Sequence, residues 1–440
     1  MSSLIVSKFG GFSLANAERV RTTADIIKSD PSRRYVVISA PGSRSGDNTR
    51  ITDLLYICHA RYSNKEDFME ILKLIEERYR AIIDGLGMDF NLEPEIADIK
   101  KSLFFGKNNE HIVSRGEYIM AKIMSAYMGW EFVDASRMIF FNRDGTLNEE
   151  RTFAAVSDTL KGKERAVIPG FYGTIPGGDI KTFARGGGDT TGAIIARAVK
   201  ADLYEKWAEA TDVFSADPTI VKDPEIVRNI TYAELRELTY MGIKIVYEDV
   251  TLLLKDTGIP IRVHNIHHPD DIGTLITDEL PEGIKRDVAA CIAGRRNYKV
   301  IRIEKFGLNK TYGVGEKVWG IFARHGISCE HYISGIYNFA IVVKSPMFDL
   351  KRAEIVREIQ NAINPESVTV ERDLSLIAII GKGMGTVKGM FARVFDAIAA
   401  RNIKVRMINQ GADDLNIILG VYDEDFDETV RALYDAMIMK

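Results

Sequence analysis

Three clusters of residues along the chain have the right chemistry to handle an anion. The first, Lys8-Phe9-Gly10-Gly11-Phe12-Ser13, joins an apolar run to a helical stretch. Glycines without Cβ let backbone N–H groups close on a phosphate, and a helix N-terminus adds partial positive charge. Lys8 supplies a mobile point charge beside them. The same residues also read as a plain tight turn with Ser13 as the helix N-cap. The Walker pattern, with its terminal Lys-Ser/Thr, is absent. The second cluster is Ala184-Arg185-Gly186-Gly187-Gly188-Asp189-Thr190-Thr191-Gly192. Three glycines before a helix make an anion nest, and their entropic cost exceeds what a cap alone requires. Arg185 can grip a carboxylate in bidentate fashion, and Asp189 either caps the helix or orients Lys8. The third, Ser114-Arg115-Gly116-Glu117, reads as a capping box at the head of a helix.

Other clusters carry less. Gly381-Lys382-Gly383-Met384-Gly385 lacks the last glycine of a dinucleotide loop, since Thr386 stands there. His264, His267 and His268 have no cysteine or paired carboxylate at metal spacing, and read as a solvated loop before Pro269. Gly-x-Ser-x-Gly and His-Glu-x-x-His are both missing, so the hydrolase motifs fail.

The elements that must position these residues alternate. Leu4–Ser7, Tyr35–Ala40, Arg165–Ile168 and Asp202–Trp207 read as buried strands, and Ala15–Lys28 and Asp189–Lys200 as helices. That alternation predicts a mostly parallel sheet with helices on its faces, binding its ligand beyond the strands' carboxyl ends. Composition changes around Asp278–Asn297, where a domain boundary is expected. Beyond it an internal repeat appears: Val318, Trp319, Phe322, Ile327 and Cys329 match Val394, Phe395, Ile398, Ile403 and Val405 at a constant offset. Each copy reads as a β-α-β-β unit whose helix ends at Gly326 or Asn402, residues suited to a left-handed cap. Strands are expected at Ile327–Ile333 and Ile403–Ile408, then at Phe339–Val343 and Asn416–Val421. Neither copy offers obvious catalytic groups, which suits a sensor or assembly module.

The 440 residues exceed one compact core, and roughly three domains are expected. A net charge of −4 argues against nucleic acid or an anionic membrane as the main partner. No apolar run reaches membrane-spanning length, and Met1–Gly11 lacks the pattern of a secretory signal. Cys58, Cys291 and Cys329 are expected to be buried, reduced thiols of a cytoplasmic protein.

Taken together, Lys8–Gly11, Ser114–Glu117 and Arg185–Asp189 resemble the active-site motifs of the aspartate kinases, within the amino acid kinase family. The likeness continues through Ser39-Ala40, Thr52-Asp53, Ser215-Ala216-Asp217-Pro218, Ile259-Pro260-Ile261-Arg262-Val263 and Gly273-Thr274-Leu275-Ile276. It ends in an ACT-like tail with Arg406-Met407-Ile408-Asn409-Gln410-Gly411-Ala412 and Leu415-Asn416-Ile417. The resemblance implies a carbamate kinase-like three-layer α/β sandwich with a mostly parallel sheet over residues 1–280. A linker and first ferredoxin-like ACT domain (281–371) and a second ACT domain (372–440) would follow. It implies ATP-dependent phosphorylation of the side-chain carboxylate of L-aspartate, with Mg²⁺ arriving on the nucleotide and no dedicated metal site. An aspartate carboxylate is ionised at neutral pH and needs no general base, so positioning and charge stabilisation suffice.

By the same resemblance, Lys8 and Asp189 are catalytic, Lys8 stabilising the moving phosphoryl group and Asp189 orienting Lys8. Ser39, Thr52, Glu117, Arg185, Gly186, Gly187 and Gly188 would form the aspartate pocket. Gly10, Gly11, Ser13, Thr211, Asp212, Phe214 and Lys244 would meet the nucleotide. Leu308, Ser328, Cys329, Glu330, Gln410 and Asn416 would bind an amino-acid effector, lysine or threonine, between ACT units of a homodimer or tetramer. The chain departs from the family pattern at several points. Phe12 and Gly188 stand for Thr and Ser, Trp207-Ala208-Glu209-Ala210 for Trp-Thr-Asp-Val, Phe214 for Tyr, Thr219 for Arg, and Tyr247-Glu248 for His-Pro. Two alternatives follow: an amino-acid sensor whose kinase centre has weakened, or a kinase for a related acidic amino acid such as glutamate.

Overall fold

The computed structural model describes residues 3–43, 49–184, 186–209, 213–284, 289–384, 387–411 and 414–438. Its contacts divide the chain into two units. One is Met1–Val213 with Arg228–Tyr232 and Ile245–Glu282; the other is Phe214–Val227 with Ala233–Lys244 and Gly283–Lys440.

The first unit opens with β1 (Ile5–Phe9), α1 (Ala17–Ser29) and β2 (Arg33–Ile38). A helical run follows: α2 (Ile51–Ser63), α3 (Met69–Leu86), α4 (Glu93–Phe104) and α5 (Asn109–Met128). Then come β3 (Glu131–Phe132), α6 (Glu149–Leu160), β4 (Ala166–Pro169) and the hairpin of β5 (Tyr172–Thr174) and β6 (Ile180–Thr182). After α7 (Gly187–Val199) and β7 (Leu203–Ala208), β8 (Asn229–Thr231) leads into α8 (Tyr232–Tyr240), whose body belongs to the second unit. The chain returns through α9 (Glu248–Leu254), β9 (Ile261–Asn265) and β10 (Thr274–Thr277).

Eight strands form one sheet in the order β3-β4-β2-β1-β7-β9-β10-β8, parallel throughout except where β9 meets β10. Val36, Val37 and Ile38 are buried because both faces are covered, as a parallel sheet requires. One face packs under the α1–α5 helices in a core containing Phe9, Ile38, Leu55, Ile75, Tyr79 and Met120. Over the other lies α7, flanked by α6 and α9. The carboxyl ends of β1, β2, β4 and β7 therefore share one rim, where Gly10, Ser39 and Gly170 sit. The four expected strands and two expected helices are all present, with ends shifted by one or two residues.

The second unit holds β11 (Cys291–Glu304), α10 (Val314–Arg324), β12 (His331–Ser334), β13 (Asn338–Lys344), α11 (Ser345–Asp349), α12 (Arg352–Ile363) and β14 (Ser367–Val370). It continues with β15 (Leu374–Ile380), α13 (Met390–Ala400), β16 (Met407–Gln410), β17 (Asn416–Tyr422) and α14 (Phe426–Met437). The strands pair antiparallel in the order β12-β13-β11-β15-β17-β16, with β14 also on β11. β11 pairs with three strands. Its first half pairs with β15, the register shifts between Arg295 and Tyr298, and its second half pairs with β13 and β14. It thus feeds Ile292 to one core, with Ile377, Val394 and Leu433, and Ile301 to another, with Phe322, Ile341 and Ile355.

The repeat is visible in the backbone. Gly326 and Asn402 both adopt left-handed conformations, φ +67° and +52°. The strands after them begin later than expected, at His331 and Met407; in the stretches before them Glu330 N and Arg406 N donate to Val342 O and Gly420 O of the neighbouring strands. Cys58 and Cys291 are buried free thiols, whereas Cys329 is only half-buried.

Candidate active site

β1 and β7 run side by side in register, which pairs Ser7 with Glu205 and Lys8 with Lys206. Side chains alternate across a strand, so the two lysines emerge on one face of the sheet and Ser7 and Glu205 on the other. Below the sheet Glu205 gathers donors: Ser7 Oγ at 2.8 Å, Arg33 Nε at 2.7 Å and Trp207 Nε1 at 3.0 Å. Burial alone would raise its pKa, but the neighbouring His264 ring, the hydrogen bonds from Arg33 and Trp207 and the Arg33 charge bring it down to about 2. His264 stacks on Trp207 with ring centroids 4.1 Å apart. It is a buried residue of β9, so the solvated-loop expectation fails for it. His267 and His268 are exposed, as expected. The buried network locks β7 against its neighbours and so fixes where Lys206 emerges.

On the other face the lysines converge on Asp189, the third residue of α7. Lys8 Nζ lies 2.6 Å from Asp189 Oδ1, and Lys206 Nζ lies 2.9 Å from Oδ2. Burial alone would raise the aspartate pKa; the two ammonium groups outweigh it and hold the pKa at about 2. The cluster carries two positive charges and one negative. Lys206 also donates to Ile245 O at 2.6 Å, and its ammonium stands 5.3 Å from the Tyr247 ring centroid. Asp189 is therefore no helix cap. The N-cap is Gly186, whose φ of +94° and contact with the Tyr247 ring leave no room for a Cβ.

Lys8 runs between glycine backbones. A Cβ on Gly188 would sit 3.2 Å from Lys8 Cε and 3.1 Å from Ser39 Oγ, and one on Gly10 would sit 3.6 Å from Lys8 Nζ. Gly11 and Gly42 pack backbone to backbone, Gly42 N donating to Gly11 O at 2.8 Å. Arg78 of α3, fully buried, donates to Gly42 O and Thr49 O, both at 2.6 Å.

Glu117 lies inside α5. Its carboxylate accepts from the Ala40 backbone N–H, next to Ser39, while Oε2 is buried with no hydrogen-bond partner. Burial raises its pKa to about 7, against the lowering effect of backbone amides and Lys8. The capping-box expectation for Ser114 and Glu117 is overturned. α5 begins five residues earlier, capped by Asn108 Oδ1 on His111 N at 2.8 Å, and Ser114 Oγ turns back to His111 O. Ser13 is no N-cap either: it is buried in a 3-10 turn, and Asn16 caps α1.

The structure thus gathers Lys8, Gly10, Gly11, Ser39, Glu117, Gly186, Gly187, Gly188 and Asp189 on one rim, with Thr52 half-buried in the first turn of α2. Arg185, Thr211 and Asp212 lie outside the described residues. Phe214 and the exposed Lys244 fall in the second unit. Lys206 was missed by sequence reasoning, which took Asp202–Trp207 as a buried strand. Its signal was a lysine in that apolar run, one that register pairs with Lys8. A cavity of about 660 Å³ lies beside the cluster, lined by Glu110, Phe141, Lys181, Phe183, Thr190 and Leu252 among others.

In the second unit, Cys329 and Glu330 line a cavity of about 460 Å³ with Trp319, Ile327, His331 and Tyr332. Leu308 opens a 3-10 turn before α10, and Ser328 is exposed. Glu330 accepts from Tyr240 Oη at 2.8 Å, and Asn416 Nδ2 donates to Glu237 at 2.6 Å, both partners being on α8. Gln410 is exposed, but its neighbour Asn409 meets His331 Nδ1 at 3.0 Å, joining the outer strands β16 and β12.

Comparison with known proteins places these features in context. The amino acid kinase family model matches residues 3–265, and an ACT domain model matches 377–437. Aspartokinase 3 of Bacillus subtilis is 30% identical over 98% of the chain and 97% of its own length. The lysine-sensitive aspartokinase 3 of Escherichia coli is 26% identical over 99% of both. The crystal structure of Clostridium acetobutylicum aspartate kinase superposes with a TM-score of 0.94 at 38% identity, covering 99% of this chain and all of that one.

Proposed function

The chain belongs to the amino acid kinase family, among its aspartokinases, and from that membership we propose how its residues carry the reaction. The enzyme phosphorylates the side-chain carboxylate of L-aspartate with ATP, and amino acids of the biosynthetic route it opens regulate it through the ACT domains. A carboxylate oxygen of aspartate forms a bond to Pγ as the Pγ–O bond to ADP breaks. ADP leaves with that electron pair, and 4-phospho-L-aspartate remains. Such a transfer needs alignment and compensation of charge on the equatorial oxygens.

The single observation that carries the reading is the buried Lys8–Asp189–Lys206 cluster set among glycine backbones. Its net positive charge suits a γ-phosphate, and the Gly10–Gly11 and Gly186–Gly188 amides complete the cradle. Glu117 Oε2, buried and without a partner, suits the ammonium of aspartate; Ser39, Thr52 and Arg185 complete the pocket. Mg²⁺ would enter bound to the nucleotide phosphates, where it neutralises charge. Asp189, already held by two ammonium groups, fits an orienting role rather than that of a metal ligand. Gly10, Gly11, Ser13, Thr211, Asp212, Phe214 and Lys244 remain the proposed nucleotide contacts.

For regulation we propose lysine or threonine as effector at Leu308, Ser328, Cys329, Glu330, Gln410 and Asn416, in a cytoplasmic homodimer or tetramer. Among the described residues no helix is long and apolar enough to cross a membrane. We propose residues 1–280 as the catalytic domain, apart from 214–227 and 233–244, which belong to the second unit, with 281–371 as linker and first ACT domain and 372–440 as the second.

The test is ADP release dependent on aspartate, with trapping of the acyl phosphate by hydroxylamine. Glutamate is the control acceptor. Hydroxamate formation from aspartate alone is expected; no turnover with intact lysine binding would favour the sensor alternative.

A further inference from the structure

We propose that Lys206 is a positioning residue of phosphoryl transfer, holding Asp189 and leaving the positive charge of Lys8 available to the γ-phosphate. The inference rests on the kinase reading above and deepens it. With Lys8 alone, one ammonium would face one carboxylate, and the buried pair would be neutral. The second ammonium, 2.9 Å from Oδ2, changes that balance: one positive unit survives in a site from which water is largely excluded.

Geometry supports the division of labour. Lys206 is tied down by two acceptors, Asp189 Oδ2 and Ile245 O, and lies over the Tyr247 ring. Lys8 has Asp189 as its ion-pair partner and sits in a slot walled by Gly10 and Gly188. The tethered lysine fixes the carboxylate, and the carboxylate in turn aims the lysine that can move. Two of the departures from the family pattern, Ala208-Glu209-Ala210 and Tyr247-Glu248, flank Lys206 or its partners.

Asp189 is faced by Lys8 from β1 and by Lys206 and Tyr204 from β7, and Glu117 of α5 acts on Lys8. Removing Lys206 leaves burial opposed by one cation instead of two, so Asp189 takes up a proton more readily. The experiment follows kcat against pH at saturating aspartate and ATP for the parent and for Lys206→Met, Lys206→Arg and Lys206→Ala, with and without ethylammonium. We expect kcat of Lys206→Met to fall about tenfold or more, with KM for aspartate within about twofold. Its kcat should also decline on the acidic side, where the parent is level. Lys206→Arg, which retains the cation, should keep the parent's acidic profile. Ethylammonium should restore Lys206→Ala in a saturable manner. Parental kcat and pH profile in Lys206→Met overturn the inference, as does a loss that neither moves the profile nor responds to ethylammonium. A parent without aspartate-dependent ADP release would instead overturn the kinase reading, so the two failures are distinct.

Discussion

A carboxylate pressed between two ammonium groups stays ionised across the whole working pH range, whereas a carboxylate buried beside backbone amides does not. Asp189 and Glu117 are these two cases within one site, and they set different expectations. Lys8→Ala leaves a buried site whose transferring group has lost its mobile cation. Turnover should fall by at least about a hundredfold while the unfolding transition and aspartate binding persist; near-normal rates would contradict the assignment. For Glu117 the sign follows from its pKa of about 7 in the free protein. Below that pH the carboxyl is protonated, yet the contact proposed with the ammonium of aspartate needs the carboxylate. Binding below pH 7 must therefore expel a proton, and KM for aspartate should rise about tenfold for each pH unit lost. Above pH 7 KM should level off. Steady-state KM from pH 5.5 to 8.5 checks this, and a flat profile would remove Glu117 from the ammonium site.

The rim loops work by close backbone approach, and here sequence reading was both strong and blind. Adjacent glycines at 10–11 and 186–188 pointed to close backbone approach, and the structure has it: Gly10 and Gly188 wall Lys8, and Gly186 meets the Tyr247 ring. The capping box misled because Ser-x-x-Glu has the same spacing in the second turn of a helix as at its start. Only Asn108, with its side chain on His111 N, decides between them. Lys206 stayed hidden for a different reason: strand register is a tertiary fact, and nothing local says which residue of β7 faces Lys8. The β11 strand, shared by two cores, is likewise a product of pairing rather than of pattern. Gly42 was also passed over, since a lone glycine after a proline reads as a turn. Its Cβ would approach Gly11 C to 2.7 Å, backbone against backbone, with little to yield. Gly42→Ala should therefore cost about 1–3 kcal/mol of stability and raise KM for ATP, because the Gly10–Gly11 loop must shift. Chemical denaturation with parallel kinetics measures both; unchanged values would show that the loop adapts freely.

At the scale of the molecule, the two units are interleaved in sequence rather than consecutive. The chain passes from one to the other after Val213, Val227, Tyr232, Lys244 and Glu282. The early excursions are integral to the second unit. Ala216 and Val221 are buried in the core with Ile292, Ile377 and Phe426, and Ser215 O accepts from Ile292 N at 2.7 Å. On α8, Glu234 accepts from Lys382 N, Glu237 from Asn416, and Tyr240 donates to Glu330. Two of those partners, Asn416 and Glu330, are proposed effector contacts, and the residue that follows α8 and its turn, Ile245, is the carbonyl partner of Lys206. Covalent continuity alone thus links the effector-binding elements to the group that holds Asp189. It also makes a kinase fragment unsound. A chain ending at residue 282 keeps residues 214–227 and 233–244 but loses their partners in 283–440, among them Ile292, Phe426, Glu330 and Asn416, exposing Ala216 and Val221. Such a fragment should be insoluble or melt without cooperativity, and supplying 283–440 in trans should recover soluble, aspartate-dependent turnover. A soluble 1–282 fragment that melts sharply and phosphorylates aspartate by itself would show that the excursions are passive loops.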